Sequence, residues 1–340
     1  MALAGTILIF LFFGIVAGDS GMFSMKGIMI FLEVSAQLGI LAVFVSLLMI
    51  AGEFVLSVGS MIGFAGVAIA IPMQQFGWPL WAAITLAFGL AVVVGYINGL
   101  IVVRTKLPSF IVTLAALFIL RGLTLGITRL MTGRTQVSGL RPLFEDDWLA
   151  PLFAGDVFQS LFLWLASVDA IRTRTDGLPL APGVPVSVIW WLVLSALATW
   201  LLLRTKFGNW IFATGGDVLA ARNAGVPVER VKILLFIGTA CGATLFAAIQ
   251  VLDAGSADTQ RGLLKEFEAI IAVVVGGTLL TGGYGSAVGA ALGALIFGTV
   301  QMGIFFTGVN TDWFKVFVGT MVLVAVLFNN FIRRRMTEAR

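Results

Sequence analysis

The run FVLSVGSMIGFAGVAIAIPMQQFGWPLWAAITLAFGLAVVVGYINGLIVV, residues 54–103, contains no Asp, Glu, Lys or Arg. One bilayer crossing takes about 20 apolar residues, because in hydrocarbon a helix satisfies its own backbone hydrogen bonds. This single run is long enough for two crossings. Outward from it the pattern recurs: 184–203, 233–252 and 269–311 are also free of charged residues. Of the 340 residues, 59% are hydrophobic and 11% charged, against about 25% charged in an ordinary soluble domain. A water-soluble fold is excluded, and the expected class is an all-α integral membrane protein with the lipid bilayer as its solvent.

About ten transmembrane helices are expected, at 2–17, 28–51, 54–71, 79–103, 107–128, 184–203, 232–252, 268–281, 286–306 and 313–332. Three of them are short and read as broken helices, which need not cross the whole layer where they line a cavity. The first has the length of a signal-peptide core. It lacks a basic leader, and Gly18-Asp19-Ser20 is a poor cleavage site, so a retained helix is expected. Lys and Arg set the orientation once the long loop is left out. Arg104, Lys106, Arg204, Lys206, Arg222, Arg230, Lys232, Arg333, Arg334, Arg335 and Arg340 fall on one side; Lys26, Arg261, Lys265 and Lys315 fall on the other. That distribution puts both termini in the cytoplasm, as an even number of spans requires.

Several function classes drop out. The net charge of +4 comes from short basic clusters beside apolar runs, as in juxtamembrane anchors, which excludes nucleic acid as a partner. Cys241 is the single cysteine and there is no histidine, so disulfides, Cys/His metal sites and histidine acid–base chemistry are all ruled out. None of the six lysines follows a glycine, so there is no phosphate loop ending in Gly-Lys-Ser/Thr and no ATPase site. Glu33, Glu53 and Glu268 are too widely spaced in sequence to suggest a catalytic carboxylate pair. The chain reads as a membrane protein with no catalytic residues, no metal and no cofactor of its own.

Two segments depart from the apolar background. Residues 129–183 mix Arg141-Pro142, Glu145-Asp146-Asp147 and Asp169 with Trp148 and Trp164, and read as an external, periplasmic loop whose middle lies along the membrane surface. Residues 207–230 are cytoplasmic and contain a short small-residue helix stopped at Gly225-Val226-Pro227. There glycine tolerates a left-handed cap and proline cannot continue the helix. Gly285, Gly289 and Gly293 fall four apart on one helix face, where backbones approach closely. A Gly-Ser-x-x-Gly echo links Gly59–Gly63 with Gly285–Gly289 and suggests two equivalent bends beside a central path.

Four blocks carry a family resemblance: GEFVLSVGS at 52–60, NGLIVVRTKLPSFIVTLAALFILRGLTL at 98–125, GGDVLAARNAGVPVERVK at 215–232 and EAIIAVVVGGTLLTGGYGSAVGAALGALI at 268–296. Their order and spacing resemble the permease subunits of ribose/xylose-type ATP-binding cassette importers, within the superfamily that includes branched-chain amino acid permeases. The resemblance implies a channel-forming subunit, a single transmembrane permease domain over 1–340 in the bacterial inner membrane, with a second permease copy forming a dimer. It implies a cytoplasmic ATP-binding subunit, which holds ATP and Mg, and an external or periplasmic solute-binding protein. Gly216, Ala220, Ala221, Arg222 and Gly225 match the family's coupling segment to the ATPase. Two positions depart from the family pattern: Leu219 replaces an acidic residue and Val55 replaces an aspartate. The first removes a salt bridge to the ATPase; the second makes the solute path less polar.

The remaining polar residues in or beside the spans are candidates for that path: Ser57, Ser60, Asn98, Ser109, Thr113 and Gln301, with Glu33, Gln37 and Gln250. Each is also a candidate helix-to-helix hydrogen bond. Arg121, well inside the fifth span, must pair, snorkel or face water. The function expected is import of a monosaccharide or related small polar solute. Nucleoside or branched-chain amino acid import stays open within the same class, and an ion-coupled secondary transporter outside it.

Overall fold

A computed structural model describes residues 2–168, 171, 173, 178–310 and parts of 313–327. Seven helices are long and apolar enough to cross a membrane: α2 (Met25–Ile50), α3 (Val58–Phe76), α4 (Leu80–Thr105), α5 (Ser109–Thr132), α8 (Val186–Arg204), α11 (Val228–Ala254) and α13 (Ala287–Phe306). The protein is therefore a multi-pass, all-α membrane protein. Shorter helices complete the described chain: α1 (Ala2–Val16), α6 (Arg141–Phe144), α7 (Gln159–Ser167), α9 (Lys206–Gly216), α10 (Val218–Asn223) and α12 (Lys265–Val275). Much of the expected tenth span, 313–332, lies outside the described residues.

Two expected spans differ in extent. The helix expected from 54 begins at Val58, because the backbone N–H groups of Phe54 and Leu56 bond to hydroxyls on α5 instead of entering a helical ladder. The helix expected over 268–281 is confined to Lys265–Val275, and Gly277, Gly282 and Gly283 carry the chain onward at positive φ. These two are broken elements: the irregular residues 51–57 precede α3, and the glycine-rich residues 276–286 follow α12.

Helices α3 and α11 form the centre, with 78% and 67% of their apolar windows buried, whereas α4, α5 and α8 bury a third or less. Lipid is as apolar as leucine, so association rests on close packing rather than on hydrophobic transfer. The α12–α13 contact illustrates this. A Cβ at Gly289 or Gly293 would strike the carbonyl of Gly276 or Ala272, so these two glycines pack backbone to backbone as their spacing predicts; Gly285, expected on the same helix face, lies before the Ser286 cap and faces the side chains of Ile50 and Thr278. Helix α1 packs on α13, where the Phe13 ring lies over Gly303, and on α2, where Phe10 meets Phe31 edge-on at 5.7 Å.

The long α5–α8 connection folds onto one end of the bundle. Strand β1 (Gln136–Ser138) pairs antiparallel with β4 (Ser256–Asp258), fastening this connection to the α11–α12 turn. Strand β2 (Asp156–Val157) pairs antiparallel with β3 (Val184–Pro185), which runs straight into α8. Because α5 continues to Thr132, the connection starts a few residues later than the expected 129. Trp148 and Trp164 stand exposed on it.

Candidate functional site

Residues 205–232, at the opposite end of the bundle, build a protruding elbow. Thr205 caps α9 by accepting from the Gly208 N–H at 3.1 Å. Asp217 then caps α10, its Oδ1 accepting from the N–H groups of Leu219 at 2.8 Å and Ala220 at 3.0 Å. Only six residues follow before α10 is closed. The Val226 N–H reaches the Ala221 carbonyl at 3.0 Å and the Gly225 N–H the Arg222 carbonyl at 2.9 Å, with Gly225 at φ 81°. This is the Schellman closure, which places glycine in the left-handed region, and Pro227 bars continuation. Gly216, Ala220, Arg222 and Gly225 are exposed on the elbow, while Ala221 turns inward. Leu219 is 72% exposed and presents an apolar side chain on the elbow. Arg222 pairs across the elbow with Glu229 at 3.4 Å, a largely exposed pair of small energetic weight.

Behind the elbow three backbone segments converge. The Gly283 N–H donates to the Ile50 carbonyl at 2.8 Å, and a Cβ at Gly282 would lie 2.7 Å from the Gly52 Cα and 3.0 Å from the Gly215 carbonyl oxygen. No side chain separates the end of α2, the end of α9 and the loop before α13. Nearby, Lys232 in the first turns of α11 forms an ion pair with Glu53, their side chains 16% and 10% exposed. The elbow's exit helix is thus tied to the irregular stretch that precedes α3.

That stretch gathers five of the six sequence-predicted path residues. The Phe54 N–H donates to Ser109 Oγ at 2.9 Å and the Leu56 N–H to Thr113 Oγ1 at 3.0 Å. The Asn98 side-chain amide donates to Ser57 Oγ at 3.3 Å. Ser60 belongs to the same locality, its hydroxyl donating to the Ser57 carbonyl at 2.9 Å. All five side chains are buried. Their observed bonds hold unwound backbone in place, which matters because a buried unpaired N–H costs several kcal/mol. Val55 borders a cavity of about 10 Å³ with Ser57, Asn98, Met61 and Phe236 and gives it an apolar side.

Gln301 is on α13, which packs chiefly against α1, α2, α8 and α12, and its buried Oε1 has no partner among the described residues. Gln37 bridges two helices: it donates to Glu33 at 3.4 Å and accepts from Gln250 of α11 at 3.1 Å. Arg121 is half-buried and lies within electrostatic reach of Glu266. The Gly-Ser-x-x-Gly echo does fall at two helix starts, but out of register. Ser286 caps α13 by accepting from the Gly289 N–H at 3.0 Å, whereas Ser60 sits inside the first turn of α3, where Ser57 is the cap position. Sequence reading missed the Glu53–Lys232 pair. Both residues fall within blocks that carry the resemblance, but nothing local couples positions 179 apart.

A family model described as branched-chain amino acid transport system / permease component matches residues 27–326. The chain is 32% identical to the xylose transport system permease protein XylH of Escherichia coli, over 98% of this chain and 92% of that protein. It is 33% identical to the probable ABC transporter permease protein YphD of the same species, over 94% and 86% of the two chains. It is 31% identical to the ribose import permease protein RbsC of E. coli, over 91% and 87%. No solved structure matches. With the matches covering nearly the whole chain and the capped elbow, broken helices and buried hydroxyl frame all inside the matched region, the protein belongs to the family of branched-chain amino acid transport system permease components.

Proposed function

We propose that this chain is the membrane subunit of an ATP-driven importer in the bacterial inner membrane, carrying a monosaccharide into the cytoplasm. It has ten spans with both termini inside, and two copies enclose the solute path. The ATP and Mg belong to a cytoplasmic partner, and capture belongs to an external solute-binding protein. Near-full-length similarity to proteins named for xylose and ribose supports a sugar over the amino acid of the family description.

The single observation that carries the mechanism is the continuity from the exposed α10 elbow, through Lys232 on α11, to Glu53 in the unwound stretch before α3. Movement imposed on Gly216, Ala220, Arg222 and Gly225 by a closing ATPase reaches that stretch without passing through a flexible linker. Ala221, turned inward, anchors the elbow to the bundle. The hydroxyls of Ser57, Ser60, Ser109 and Thr113, with Asn98 and Gln301, become path groups when the stretch shifts and exchanges its present bonds. A path without a tight site suits this division of labour, since strong binding inside would slow release.

The test is reconstitution of the permease in sealed vesicles with its ATPase and binding protein, followed by uptake of labelled D-xylose and D-ribose. ATP-dependent uptake that requires the loaded binding protein supports the reading. Uptake driven by an ion gradient with no ATPase present refutes it, and uptake of leucine in preference to sugars supports the amino acid alternative.

A further inference from the structure

At the end of the bundle remote from Arg222, the β2–β3 ribbon roofs a cavity of about 110 Å³. Its wall is formed by Glu33 of α2, Asp253 of α11, Asp156 of the roof and Ser187 in the first turn of α8, with Phe153 and Ile249 as apolar neighbours. The three carboxylates lie within electrostatic reach of one another. None forms an ion pair among the described residues. Two cations lie near Asp253, and both are turned to backbone carbonyls: Arg141 donates to that of Asp253 at 3.1 Å, and Arg261, within electrostatic reach of the Asp253 carboxylate, donates to those of Gln250 and Ser256. Burial, and then Asp253, push the Asp156 carboxyl above the ordinary range. Ser187 is 3% exposed, and its buried hydroxyl has no hydrogen-bond partner among the described residues. An orphaned hydroxyl of this kind calls for a partner that the described side chains do not supply.

This inventory has a direction. Ionised carboxylates only accept and a serine hydroxyl accepts and donates; the Gln37 amide donates to Glu33 and Arg261 lies within electrostatic reach of Asp253, but among the described residues no side chain donates to Asp156 or to Ser187. The missing partner is therefore rich in donors. A metal ion fits poorly, because no three acidic side chains among the described residues come close enough to share one. Acceptors spread around a cavity suit a ligand whose donors are spread around a ring. With a water occupying roughly 30 Å³ of liquid, the space amounts to about four waters, enough for one edge of a monosaccharide. Sugar C–H groups would lie against Phe153 and Ile249. From Glu33 the polar chain continues inward through Gln37 to Gln250.

We propose that this roofed cavity is a low-affinity subsite for sugar hydroxyls, the first contact on the permease after hand-over and upstream of the Ser57–Thr113 frame. It rests on the sugar-importer reading, with Asp156, Asp253 and Glu33 accepting from hydroxyls and Ser187 completing the set. The Trp190 ring stacks on Phe153 at 6.3 Å between centroids, and its indole N–H donates to the Leu152 carbonyl at 2.6 Å, which makes it a built-in reporter.

The experiment titrates the full-length permease in lipid nanodiscs, without partners, with D-xylose and D-ribose while following tryptophan emission. Saturable quenching in the millimolar range, absent in Trp190→Phe, is expected. Asp156→Asn and Ser187→Ala should each raise the half-saturating concentration about tenfold, the worth of one good hydrogen bond. Asp253→Asn replaces Asp156→Asn as probe if the latter misfolds. Quenching by neither sugar, or by both with unchanged concentration dependence in the variants, overturns the proposal. A response to sodium against choline, or to putrescine, in place of sugar makes the cavity a cation site and also overturns it. Vesicle uptake run in parallel separates the two readings: ATP-dependent sugar uptake with a silent cavity sinks the subsite alone, and absence of uptake sinks the importer.

Discussion

Replacing Lys232 by methionine strands the Glu53 carboxylate inside the bundle. Its side chain is 10% exposed and Lys232 is its ion-pair partner, so solvent offers little screening. Removing one member of a buried pair costs about 3–5 kcal/mol, because the remaining charge keeps its desolvation penalty and loses its compensation. Glu53→Gln is milder, about 1–3 kcal/mol, since the amide stays polar and the lysine stem can bend its ammonium outward. The double variant has no charge left to strand. It should recover most of the loss, so that the cycle gives a coupling of at least about 2 kcal/mol. Cys241 supplies the assay: it is the single cysteine and half-buried in α11, so thiol labelling during denaturation of detergent-solubilised protein reports unfolding of the central helix. Measured alongside, sugar transported per ATP should fall in Lys232→Met. The reasoning fails if Lys232→Met lies within about 0.5 kcal/mol of wild type, the range of an ordinary surface substitution. It fails equally if the double variant is as unstable as the sum of the singles.

Asp217→Ala removes the cap that accepts from two N–H groups of α10 and should weaken the elbow by about 1 kcal/mol. Faster amide exchange confined to 218–223 and weaker stimulation of the partner ATPase would register it. Gly293→Val drives a side chain into the Ala272 carbonyl; with overpacking costs of about 1–3 kcal/mol, lower denaturation midpoints should accompany slower transport. Asp156 has its folded-state carboxyl raised above 3.8, so the native state holds the proton more tightly than the unfolded chain. Stability should therefore drop as pH rises through the interval above 3.8, and Asp156→Asn, which removes the buried charge, should stabilise the empty protein at neutral pH with the advantage vanishing in acid. A denaturation series against pH checks that sign.

Much of the architecture was legible in the chain because hydropathy is additive and local. Runs such as 54–103 and 269–311 leave no alternative to membrane helices, and the four blocks place the chain in its family. The end of α10 was legible for the same kind of reason: Gly225 and Pro227 act on the backbone within a few residues. The start of α3 was not. Residues 54–57 are as apolar as the helix that follows, and they stay unwound because Ser109 and Thr113, on another helix, take their N–H groups.

What the sequence by itself determined is the solvent this protein lives in, its helical class, its lack of a phosphate loop and the position of its elbow, all set by composition and by neighbours a few residues away. Only the tertiary structure decided that Glu53 meets Lys232, that Ser57 meets Asn98 and that Glu33, Asp156, Asp253 and Ser187 share one cavity. Those encounters depend on how helices cross. The crossing is set by small-residue contacts such as Gly293 against Ala272, and no periodicity along a single segment records them.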